Sequence, residues 1–142
     1  MYLEIIGLAV SILGLIAVLW QLGVVGKQLK LQNYSEYTRR YAEVVYRLPE
    51  IINDNEKFEI SALNDNERED FMRNQRAYFD LCFEEWNLHN RGLIDAESWR
   101  IWSGGIETAL KRKAFIQAWE IIKATTEYGP DFENWVDSRI LR

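Results

Sequence analysis

From Ile5 to Val25 the chain reads IIGLAVSILGLIAVLWQLGVV, 21 residues without a formal charge. At ~1.5 Å per helical residue such a run matches the ~30 Å thickness of a hydrocarbon core, so the sequence predicts a transmembrane helix. A secretory signal is the competing reading. The run is longer than the apolar region of a signal peptide, no basic residue precedes it and no small-residue cleavage site follows, so the segment is expected to be retained. Only Met1, Tyr2, Leu3 and Glu4 stand before it, whereas Lys27, Lys30, Arg39, Arg40 and Arg47 follow closely. Basic residues stay on the cytoplasmic side, which predicts an outward N-terminus and a cytoplasmic remainder. Tyr2 and Trp20 suit the two membrane interfaces, where an aromatic ring with a polar edge is at home.

Projected at ~100° per residue, Gly7, Ser11, Gly14, Val18, Gln21 and Val25 share one face, with Trp20 nearly opposite. Gly7, Gly14, Gln21 and Gln28 stand seven apart, the repeat of a left-handed parallel bundle. In lipid, helices associate by close backbone approach and interhelical hydrogen bonds, and small residues with one amide supply both. An amide facing acyl chains without a partner costs ~2 to 7 kcal/mol, so Gln21 is expected to meet a copy of itself or another protein. Beyond the membrane, Gln32, Glu36, Arg39 and Glu43 prolong this face, while Tyr34, Tyr37, Tyr41, Val45 and Leu48 lie on the other side. The simpler reading makes Glu36 with Arg40 and Glu43 with Arg47 ordinary exposed pairs one turn apart, worth ~0.2 to 0.5 kcal/mol each.

The stretch from Asn33 to Arg142 suffices for one small domain with its own core. Setting aside Lys27, Lys30 and Glu4 leaves 15 basic and 21 acidic residues, a net charge of −6. That balance argues against nucleic acid, whose phosphates require clustered cations. Lys111, Arg112 and Lys113 form the one basic cluster and read as a solvated helix end. Cys82 is the single cysteine, which excludes an internal disulfide and fits a reducing compartment.

Apolar spacing of three to four residues recurs throughout, and no stretch alternates with a period of two, so the fold class is all-α. We divide the chain into a transmembrane helix over 1–26, a juxtamembrane helix over 27–48 and a cytoplasmic helical domain over 49–142. The juxtamembrane helix is predicted to run until Pro49, followed by a loop with a short helix to Leu63. Asn64 with Glu67 makes a capping box for the longest soluble helix. This helix carries Phe71, Gln75, Tyr78, Phe79, Cys82, Phe83, Trp86 and His89 and closes at Gly92. Asp95 caps the next, which bears Trp99, Ile101 and Trp102 and is expected to break at Gly104 and Gly105. Ile106 to Tyr128 is read as helical, with Leu110, Phe115, Ala118, Trp119 and Ile122 inward. After Gly129 and Pro130 a last amphipathic helix carries Phe132, Trp135, Val136 and Ile140. Trp86 is expected among the core residues, and the other tryptophans besides Trp20 fill an aromatic-rich interior.

A bare N-terminal span, a basic juxtamembrane helix, the motif YFDLCFEEWNLHNRGLID and a terminal FIQAWEIIK with YGPDFENWVDSRI together resemble a bacterial family of short, membrane-anchored helical proteins. The resemblance covers nearly the whole chain. It implies architecture and a bacterial inner membrane, and brings neither an activity nor functional residues.

Chemistry is sparse. His89 follows Glu85 by one turn, but helical di-iron sites use Glu-x-x-His twice, and the chain has one histidine. We therefore expect no metal and no cofactor, with His89 packed or capping. Cys82 falls on the aromatic face, where desolvation makes a thiol inert. Glu85 falls at the edge of the same face and needs a partner, for which Arg39, Arg40 and Arg100 are the candidates for a structural ion pair. No nucleophile elbow or phosphate-binding loop is present, so we expect no enzyme. The expectation is a membrane-anchored assembly or interaction protein that self-associates or docks on a larger membrane complex. The alternative is a homo-oligomeric channel or membrane-disrupting effector whose Gly/Ser/Gln face lines a pore.

Overall fold

A computed structural model describes residues 2–141; Met1 and Arg142, the outer limits of the first and last predicted segments, lie outside the described residues. The described residues are helical without a strand. The chain divides into two compact units, Met1–Glu36 and Tyr37–Arg142.

In the first unit every described side chain is exposed, including the apolar ones from Ile5 to Val25. They belong to helix α1 (Tyr2–Val45), which is long and apolar enough to cross a membrane. The Ser11 hydroxyl donates to the Gly7 carbonyl of its own helix at 2.9 Å, so its proton is spent internally.

The second unit begins inside α1, and the helix stops at Val45 rather than running to Pro49. A turn follows, with the Arg47 and Leu48 N–H groups donating to the Val44 and Val45 carbonyls, and Leu48 drops into the core. Then come α2 (Glu50–Asp54), a 3-10 turn (Ile60–Ala62), α3 (Asp65–Asn90), α4 (Ala96–Ala109), α5 (Lys113–Lys123) and α6 (Pro130–Ile140).

The caps are those the residues call for. Asn64 accepts from the Glu67 backbone while the Glu67 side chain accepts from the Asn64 backbone, a reciprocal box that satisfies two orphan donors. Asp95 accepts from the Ser98 backbone at 2.9 Å. At the other end of α3, Gly92 takes a φ of 68°, and the Gly92 and Leu93 N–H groups donate to the His89 and Leu88 carbonyls in a Schellman arrangement.

Gly104 and Gly105 do not break α4, which continues to Ala109. Two interior glycines cost about 2 kcal/mol relative to alanine, but the following turn buries Ile106, Ala109 and Leu110, and that burial outweighs the propensity. The break comes instead at Leu110–Arg112, so the predicted single helix from Ile106 to Tyr128 is two elements, the second ending at Lys123. There the Lys113 N–H donates to the Glu56 carbonyl at 2.8 Å, and the Ile60 N–H donates to Gln117 Oε1 at 2.9 Å, which ties the loop to α5. Arg112 lies over the Phe115 ring, and Lys113 pairs with Glu59.

The core forms where α3 packs on α4 and α5. Trp119 is its centre: fully enclosed, 4.9 Å from the Phe79 ring, 5.8 Å from Tyr128 and 5.9 Å from Phe132, with its indole N–H donating to Asp137 at 2.7 Å. Trp86, expected in the core, is only partly buried and packs against it, stacked near Phe83 and tilted against Phe132. Trp119→Ala is therefore expected to cost about 3 to 5 kcal/mol in denaturant unfolding, against roughly 1 to 2 kcal/mol for Trp86→Ala.

Candidate functional site

Where the last turns of α1 meet α3, both helices contribute polar and titratable groups. The final carbonyls of any helix lack an internal partner. The Val44 carbonyl, which accepts from the Arg47 N–H in the turn after α1, also accepts from the Asn74 amide of α3 at 2.8 Å. One turn earlier Arg40 grips Glu84 through two contacts of 2.6 and 3.3 Å, and the Tyr37 hydroxyl reaches the same carboxylate at 3.4 Å. Tyr41 lies 6.5 Å from the Tyr78 ring, and Tyr37 lies 5.6 Å from Trp102 of α4. A groove of about 350 Å³ opens here, lined by Arg40, Val44, Arg47, Asn74, Asp80 and Glu84 among others.

These contacts revise the predicted ion pair. Arg40 takes the neighbouring Glu84 rather than Glu85, Arg39 pairs with Glu43 on its own helix, and Arg100 stands exposed on α4. Glu43 is thus held by Arg39, not by Arg47. The reason is geometric: adjacent residues on a helix point about 100° apart, so only one of two consecutive glutamates can face the arginine. Glu84 does so at the rim, where both partners keep about 40 % of their side-chain surface, and the pair is worth ~1 kcal/mol or less.

Glu85 turns inward and is 5 % exposed. Among the described residues its carboxyl has no hydrogen-bond donor. Burial pushes its pKa up to about 8; Arg40 pulls the other way and the Glu84 charge adds to the rise. The shift favours the protonated form of the Glu85 carboxyl. Burial likewise raises the Cys82 thiol and the Tyr78 phenol well above their ordinary values, and raises Tyr37 and Tyr41 less far. Cys82 is accordingly a packed, buried thiol whose ionisation is disfavoured by desolvation.

One helical turn before Tyr78, Gln75 is wholly enclosed, and neither its amide nitrogen nor its oxygen has a partner. His89 packs its ring on Trp99, centroids 4.6 Å apart and nearly parallel. Beyond it Trp99 meets Trp135, over which the Arg139 guanidinium lies at 4.8 Å. No group of three or more His, Cys, Asp or Glu that could hold a metal occurs among the described residues.

On α1, the side chains of Ser11, Val18, Gln21, Val25 and Gln28 are all exposed, and a methyl group added at Gly7 or Gly14 would meet nothing within 4 Å. The face is open along its whole length. Compared with known proteins, the chain matches no family model, no curated protein and no solved structure.

Glu84 was not read from the sequence, and Gln75, placed there on the patterned face of the long helix, was not read as an enclosed amide without partners. A signal for the first existed in the Glu84–Glu85 doublet, but choosing between the two requires the crossing of α1 on α3. Because an unpaired buried amide forfeits its hydration, Gln75→Met, which keeps the volume, is expected to raise unfolding stability by about 1 to 3 kcal/mol in urea titration.

Proposed function

We infer that the protein is a membrane-anchored assembly protein. The apolar part of α1 spans a bacterial cytoplasmic membrane with the N-terminus outside, and the acidic helical domain stands in the cytoplasm to engage protein partners. The observation that carries this reading is the Gln21 amide, which lies in an otherwise apolar stretch and has no hydrogen-bond partner among the described residues. In hydrocarbon that group would cost several kcal/mol, and a second helix relieves the cost. With Ser11 already bonded to Gly7, Gln21 is the main hydrogen-bonding group that the Gly7, Gly14, Val18 and Val25 face offers a partner. Self-association through this face, or docking on a larger membrane complex, follows.

Basic residues after the apolar run support the orientation. A reporter fused after Arg142 is expected to be cytoplasmic, and a protease added from outside is expected to leave the domain intact. Recovery of the C-terminus on the outer side would overturn the topology.

The assembly face is tested by stoichiometry in mild detergent. Gly14→Leu or Gln21→Leu is expected to weaken association, whereas Leu15→Ala and Val24→Ala on other faces change it little. A double variant that runs as the same oligomer removes the role given to this face. A symmetric ring of about five or more helices would favour a channel over an assembly anchor.

A further inference from the structure

Between Glu4 and Glu36 the chain carries two charged residues, Lys27 and Lys30, and no acidic one. In a chain with a net charge of −5 this stretch is the cationic exception. Both lysines lie on α1 and are exposed, and among the described residues neither ammonium group has an ion pair or a hydrogen bond. The next basic residues along the helix, Arg39 and Arg40, are engaged by Glu43 and Glu84.

At ~100° per residue, Trp20, Lys27 and Lys30 fall within an arc of about 80°, on the side of the helix opposite the Gly7, Gly14, Gln21 and Val25 face. A helix that meets another protein through that face turns Trp20, Lys27 and Lys30 toward lipid. The Trp20 ring is 72 % exposed, so it is free to contact an acyl chain. Lys27 stands two residues and Lys30 five residues past Val25, about 3 and 7.5 Å further along the axis. The polar layer on each side of the hydrocarbon core is about 5 to 7 Å thick, so both ammonium groups reach the level of the lipid phosphates. Side chains of a helix tilt toward its N-terminus, which here is the membrane, and the lysine stem follows apolar surface in that direction. A zwitterionic headgroup brings its own cation and leaves two lysines uncompensated. An anionic headgroup supplies the missing charge.

Resting on the membrane reading above, we propose that the Trp20, Lys27 and Lys30 side of α1 is a binding face for anionic phospholipid of the cytoplasmic leaflet. The two ammonium groups hold the headgroup phosphate, and Trp20 packs along the acyl chain beneath it. One side of the helix thus recognises protein and the other recognises lipid charge.

The experiment uses the full chain reconstituted in phosphatidylcholine vesicles containing about one fifth phosphatidylglycerol, with bromine on the acyl chains of either lipid in turn. Tryptophan quenching is read for the wild type and for Trp20→Phe, and their difference isolates Trp20. A lysine at the membrane surface favours anionic lipid by about fivefold, so phosphatidylglycerol is expected to outcompete phosphatidylcholine beside Trp20 several-fold. Lys27→Gln with Lys30→Gln is expected to bring the two lipids to parity, whereas arginine at both positions keeps the preference. Raising the salt from about 0.1 M to about 1 M shortens the screening length from about 10 to about 3 Å and is expected to abolish most of the preference, a reading that needs no variant. Equal quenching by both lipids in the wild type, or a glutamine double variant that keeps the wild-type preference, would overturn the lipid site while leaving the membrane span intact. Loss of the preference to added glycerol phosphate would assign the lysines to a free phosphoester and overturn it as well. Quenching of Trp20 by neither lipid would overturn the membrane reading itself, and the proposal with it.

Discussion

Enclosure of the Trp119 ring joins three helices that the sequence keeps far apart. Its faces and edges meet Phe79 on α3, Tyr128 in the loop after α5 and Phe132 on α6, and its one polar atom is satisfied by Asp137. A buried indole contributes a large apolar area but demands a partner for its N–H. Asp137 meets that demand and is held in turn by Lys123 at 3.2 Å, so α5 and α6 are tied by charge as well as by packing. Because α3 presents Phe79 and Phe83 to this cluster, its register is set from this side. What it turns toward α1 is then a consequence.

That consequence is a second face with polar residues inside it. Gln75, Tyr78, Cys82 and Glu85 recur on α3 at helical spacing, and all are buried. Tyr78 and Cys82 belong to the hydrophobic core, whereas Gln75 and Glu85 carry desolvation costs that the rest of that core must offset. The Trp119 side is aromatic throughout, and the side toward segment 37–45 carries the buried polar groups. Arg40, Glu84 and Asn74 occupy the rim of this contact and set where the segment lies.

The apolar stretch of α1 poses the reverse problem. Among the described residues the apolar side chains from Ile5 to Val25 are exposed, and an apolar surface of that extent marks a site of contact with a membrane or another protein. The Ser11 hydroxyl donates to Gly7 of its own helix, whereas among the described residues the Gln21 amide has no such bond. The membrane-anchor reading rests on this contrast between a solved and an unsolved polar group.

Local chemistry was legible from residues alone. The Asn64–Glu67 box, the Asp95 cap, the Gly92 stop and Pro130 at the start of α6 depend on groups within a few positions of one another, and each stands where its sequence places it. The inward positions Phe115, Ala118, Trp119 and Ile122 were equally readable, since a helix buries one face. Tertiary structure decided what depended on competition between distant segments. It carried α4 through Gly104 and Gly105, because burial beyond them outweighed their propensity. It made Trp119 rather than Trp86 the enclosed ring, because only the first has helices on several sides. It assigned Arg40 to Glu84 and left Glu85 inside, because the crossing of two helices, and not the order of residues along either, selects which of two neighbouring carboxylates meets a charge.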